Sequence, residues 1–189
     1  MHFYFVRCLP KKLPHRKKTC YTVLMKPSFF IGLDVGGTKI AAGLVVSSGH
    51  LIARKKYPMP LRASSAAIIA LIATGIRELL EENAIRPKQL RGIGAGIPGV
   101  VNAATGMIVS TPNIDLGGVN LVRELEKRFT VCAAIGNDVN LGLLGEQWRG
   151  AARGVQNVVG LFPGTGLGGA IIANGTLLTG AHGAAGEIG

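Results

Sequence analysis

The chain has 189 residues, 48% hydrophobic and only 16% charged, which excludes a disordered polymer and fits one α/β domain or two small ones. Its formal net charge of +11 points at first to nucleic acid, but residues 1–27 hold seven of the 21 Lys/Arg and none of the ten Asp/Glu, so the remainder carries only +4. No run of about 20 apolar residues is free of charge, as a transmembrane helix requires, and Cys8, Cys20 and Cys132 form neither a metal spacing nor a disulfide framework, which points to a reducing cytoplasm.

Residues 1–27 are basic, contain Pro10, Pro14 and Pro27, and lack the apolar stretch of a secretory signal. Met25 opens a natural entry to a first strand. The functional chain is therefore expected to start there, with the residues before it as a disordered extension. Phe29–Val35 is a short apolar run and reads as a buried strand. Gly36-Gly37-Thr38 turns the chain into a second strand, Lys39–Val46, and Ser47-Ser48-Gly49 turns it into a third over residues 50–57. Two adjacent hairpins predict an antiparallel start to the sheet.

Ser64 or Ser65 caps a helix reaching about residue 83, with Ile68, Ile72, Ile76 and Leu79 at helical spacing. Pro87 ends any continuation. Leu90–Ile97 reads as a fourth strand. A second helix follows over residues 119–129, with Leu121, Val122, Leu125 and Phe129 on one side. Then come a strand over 131–135, a helix over Asp138–Arg149, and strands over 157–162 and 168–173. Three antiparallel strands followed by alternating helices and strands are unusual for a plain doubly wound fold. The order resembles the α/β actin-like ATPase (ribonuclease H-like) domain. Residues 157–179 begin the same pattern again, so a first lobe over 28–137 and the beginning of a second, incomplete lobe over 138–189 are expected.

Three segments carry groups suited to phosphoryl transfer. In Asp34-Val35-Gly36-Gly37-Thr38-Lys39 the two glycines let backbone N–H groups approach a phosphate. Thr38 adds a hydroxyl, Lys39 a cation, and Asp34 a carboxylate able to hold Mg²⁺ through water. An ordinary hairpin turn is the plain alternative. Gly164-Thr165-Gly166-Leu167-Gly168-Gly169 is a second such turn, and two of them suggest a nucleotide clamped between lobes. In Gly136-Asn137-Asp138-Val139-Asn140, Asp138 follows a strand end that faces the usual ligand crevice. Its carboxylate is either a base for a substrate hydroxyl or merely the N-cap of the next helix. Asn137 offers an amide to sugar hydroxyls. Asn113, in Thr111-Pro112-Asn113, is either a sugar ligand or an Asx-turn residue. Gly96-Ile97-Pro98-Gly99 is a rigid turn, and Glu187 is an acid within a glycine-rich stretch. Tyr57 and Trp148 read as packing residues.

Together, in this order and spacing, these segments resemble the ROK family of glucokinase-like sugar kinases and sugar-responsive repressors, over about residues 29–189. The resemblance implies ATP-dependent phosphorylation of a hexose, glucose by default, at a primary hydroxyl. Asp138 is then the general base. Asn113, Asn137, Glu187 and the Gly99 turn contact the sugar. Asp34, Gly36, Gly37, Thr38, Lys39, Thr165 and Gly166 bind the nucleotide phosphates and Mg²⁺. It further implies a homodimer at full length, with sugar and ATP rather than nucleic acid or membrane as partners. The family's zinc ligands would lie beyond Gly189. A chain of this extent alone is therefore expected to show low or no activity. The alternative within the family is a sugar-sensing regulator or non-catalytic sugar-binding protein.

Overall fold

The computed structural model describes residues 28–164, 166–181 and 183–188. The first strands are β1 (Phe29–Val35), β2 (Lys39–Val46) and β3 (Leu51–Pro58). They form the antiparallel meander expected, because β1 and β2 are apolar runs that end at glycine-containing turns. Helix α1 (Ser65–Glu82) starts at Ser64, whose hydroxyl accepts the Ala67 N–H. It buries Ile68, Ile72, Ile76 and Leu79 against the sheet. Strand β4 (Leu90–Ile97) then returns parallel to β1.

A hairpin follows that the sequence did not announce: β5 (Val100–Asn102) and β6 (Met107–Ser110). Helix α2 (Leu121–Phe129) packs Leu121 and Leu125 into the core and ends at Thr130 in a left-handed conformation. It leads into β7 (Cys132–Asn137), which lies parallel to β4. The five-stranded sheet has the order β3-β2-β1-β4-β7. Its large core joins β1, β2, β4, β7 and both helices.

Helix α3 (Asp138–Arg149) leaves β7 directly. It packs on a separate antiparallel sheet made of β8 (Val158–Pro163), β9 (Leu167–Ala173) and β10 (Thr176–Leu178), in the order β10-β9-β8. A smaller core, centred on Leu143, Ala170 and Ile172, joins helix and sheet. No helix among the described residues is long and apolar enough to cross a membrane.

Candidate active site

The register of the parallel strands decides where the site lies. Asp34 of β1 pairs with Gly96 of β4. Gly96 pairs with Gly136 of β7, and Ile97 with Asn137. Neighbouring strands lie about 4.8 Å apart, so Asp34, Gly96 and the Asn137-Asp138 corner share one end of the sheet. That end holds the carboxyl termini of β1, β4 and β7, where open α/β sheets place their ligands.

Asp138 occupies the first position of α3. A Cβ on Gly96 would sit 3.4 Å from the Asp138 Cα, so the absence of a side chain on β4 lets Asp138 settle against the sheet. Asp138 Oδ1 accepts its neighbour's N–H, from Val139, at 2.9 Å. Burial pushes the Asp138 carboxyl above the ordinary aspartate range. The negative charges of Asp34 and, more weakly, Glu187 push the same way against the backbone N–H groups of Val139 and Asp138 itself. The charges of Asp34, on β1, and of Glu187, in the segment after β10, thus both bear on Asp138. A raised carboxyl is a stronger base than a free one once ionised.

The helix cap is Asn137 rather than Asp138. Asn137 Oδ1 accepts the Asn140 N–H at 2.9 Å, and its Nδ2 donates to the Gly99 carbonyl at 3.1 Å. One lone pair and one amide hydrogen remain for a ligand. Asp138 is thereby free of capping duty. Asn140 itself is buried, and its side-chain oxygen has no hydrogen-bond partner among the described residues, an acceptor that a water or ligand donor would satisfy.

Gly99 has φ +94°, and a Cβ there would stand 2.4 Å from the Ser110 carbonyl oxygen. Only glycine makes this corner without strain. The β5–β6 hairpin starts and ends here, since Val100 pairs with Ser110. It thereby brings the Gly99 turn beside Thr111-Pro112-Asn113. The Thr111 hydroxyl donates to the Ile114 carbonyl, so Thr111 rather than Asn113 closes this loop. Asn113 reaches the phosphate-type turn: a Cβ on Gly37 would lie 3.2 Å from the Asn113 Cβ.

The first glycine turn is tight, with the Gly36 N–H bonded to the Lys39 carbonyl at 2.9 Å. Gly37, Thr38 and Lys39 are exposed. In the second turn the Gly164 N–H bonds the Gly166 carbonyl at 2.8 Å, and Gly166 faces open space; Thr165 lies outside the described residues. Strand β9 approaches α3 closely, because a Cβ on Gly168 would stand 2.5 Å from Val139. Glu187 is exposed and is carried by Gly186 and Ile188, which lie directly on Gly169. No group of three His, Cys, Asp or Glu side chains able to cage a metal occurs among the described residues. Mg²⁺ needs no such cage: it keeps several waters and rests on one or two carboxylates plus phosphate oxygens.

The fold is that of the actin-like ATPases, with strand ends that gather carboxylates and two glycine turns. The chain belongs to the ROK family, whose sequence profile matches residues 30–189. It is 35% identical to a glucokinase of Halalkalibacterium halodurans over 165 residues, covering 87% of this chain and 50% of that protein. It is 31% identical to a xylose repressor of Caldicellulosiruptor bescii, over 84% of this chain and 40% of that protein. A ROK family glucokinase from Streptomyces griseus, solved in complex with glucose and AMPPNP, superposes with a TM-score of 0.76 at 32% identity. That match covers 86% of this chain and 50% of the other. The chain spans about half the length of the curated relatives it matches.

Proposed function

We propose that this chain belongs to an ATP-dependent sugar kinase that phosphorylates a hexose, glucose first, at its primary hydroxyl. What carries the reading is the placement of Asp138 directly after the carboxyl end of β7, in the same sheet end as Asp34 of β1, where burial raises its carboxyl. ATP supplies the transferable phosphoryl group, and Mg²⁺ offsets the charge on its phosphates.

Asp138 accepts the proton of the sugar hydroxyl and aims its oxygen. Asn113, the remaining amide capacity of Asn137, and Glu187 hold the other hydroxyls, and the Gly99 turn fixes Asn137 in place. The N–H groups of the Gly36-Gly37-Thr38 turn, with Lys39, Thr165 and Gly166, bind phosphate oxygens. Asp34 holds the ion through water. Residues 28–137 form the first lobe in this reading and residues 138–189 the start of the second, so that the base sits at their junction.

The test is glucose-dependent ATP consumption by the full-length protein and its Asp138→Asn variant. Removing a general base lowers turnover by about 10²–10⁴-fold. Unchanged turnover in Asp138→Asn overturns the assignment. The similarity to a xylose repressor supports a second reading, a sugar-sensing regulator without catalysis. Sugar binding without ATP consumption, together with specific DNA binding at physiological salt, would establish it.

A further inference from the structure

A cleft of about 520 Å³ lies beside the proposed site and shares only Gly37 and Asn113 with it. Three loops form it: the Gly37 turn, residues 59–63 after β3, and residues 112–115 after β6. These loops are tied together. The Met59 N–H donates to the Thr38 carbonyl at 2.9 Å, and the Ser65 N–H donates to Asp115 Oδ2 at 3.3 Å. Arg62 is held in the left-handed region at φ 53°, a conformation that costs a non-glycine residue on the order of 1 kcal/mol and is often found at ligand clamps.

The lining combines unspent polar groups with apolar surface. The Arg62 guanidinium and the Asn113 amide make no hydrogen bond with any described residue. Among the described residues Asp115 is engaged through Oδ2 alone. Pro60, Pro112 and Ile68 supply the apolar wall, and Leu61 stands at the rim 98% exposed. An anionic occupant would face the Asp115 carboxylate. A purely apolar one would strand three polar groups. A neutral polyol with an apolar ring face suits all of them, its hydroxyls donating to Asp115 and accepting from Arg62 and Asn113.

Asn113 and Gly37 wall this cleft and also belong to the proposed hexose and phosphate site. We propose that the cleft is a subsite for a second sugar residue, so that the acceptors of this protein include disaccharides or glycosides whose terminal hexose is presented to Asp138. This rests on the kinase reading above.

The experiment compares glucose, maltose and cellobiose as acceptors for the full-length protein and for Arg62→Ala. Arg62 is exposed and unbonded, so the variant keeps its fold, which a thermal melt checks. At least one disaccharide is expected to be phosphorylated. Arg62→Ala is expected to lower its kcat/KM about tenfold or more, the worth of a charged hydrogen bond, while leaving glucose within about twofold. Glucose turnover with neither disaccharide used, or equal loss on all sugars in Arg62→Ala, overturns the subsite and leaves the kinase reading standing. Calorimetric titration with the same sugars separates the remaining failure. Disaccharide binding that depends on Arg62 but no turnover of any sugar removes the kinase reading alone; absence of disaccharide binding removes the subsite.

Discussion

Asp138 pays a folding cost for its position. Its folded carboxyl titrates above the ordinary value because burial, then Asp34 and Glu187, disfavour the charge. At pH values above the folded one, the charged form therefore opposes folding; below the ordinary carboxylate value the penalty vanishes. Asp138→Asn should raise the melting temperature near pH 7, and the gain should disappear in acid at about pH 3, while activity is lost. A melting series across pH checks this, and a variant that is less stable at neutral pH contradicts the placement. Asn137→Ala should cost about 0.5–2 kcal/mol for the lost cap of α3, besides releasing the Gly99 carbonyl; urea unfolding measures it. Composition alone does not say which of two adjacent capping residues caps a helix. Asn137 and Asp138 both qualify by type, and only the backbone path out of β7 assigns the cap to Asn137. Arg62 and Asp115 were not legible at all, since nothing in their sequence neighbourhood forms a motif and the cleft exists only once three distant loops meet.

Elements bounded by glycine or proline were the most readable. β1, β2, β4 and α3 occupy the spans expected, because apolar periodicity stops abruptly at Gly36, Gly49, Pro98 and Gly150. The β5–β6 hairpin escaped because strands of three and four residues show no periodicity. Its signal was the turn: Asn102 Oδ1 accepts the Thr105 N–H at 3.1 Å, and Gly106 takes φ +75°, between β-branched residues on either side. For α1 the periodicity translates into stability. Ile72→Ala removes a side chain that is 1% exposed and should cost about 2–5 kcal/mol, read by chemical denaturation. The outer face of α1 is clasped to β3 by Glu78, which accepts from Tyr57 at 2.7 Å and from Lys55 at 2.9 Å. The Tyr57 hydroxyl and then the Lys55 ammonium hold the Glu78 carboxyl below its usual range. That contribution is complete above the ordinary glutamate value and is lost as the pH falls through the lowered one. Glu78→Gln should flatten this part of the melting profile below about pH 5.

At the scale of the molecule, the two sheets differ in how they are covered, and this has a consequence for association. The smaller sheet gives Val158, Phe162, Ala170 and Ile172 to α3. Strand residues alternate, so the opposite face carries Val159 and Leu161, 67% and 60% exposed. Val159 pairs with Ile171, and Ile171 with Leu178, which makes a row across all three strands, while Ile188 lies over Gly169 beside it. An apolar row open to water drives association. The chain should therefore sediment with a concentration-dependent mass. Replacing Val159 and Leu161 together by lysine puts two like charges on that face without touching the Leu143 core, and should return the chain to a monomer. The melting temperature should hardly move, because surface substitutions away from packed contacts usually change stability by less than about 0.5 kcal/mol. A large fall in melting temperature would mean instead that these side chains are packed within the same molecule. Retained self-association at an unchanged melting temperature would move the cause of association to another surface.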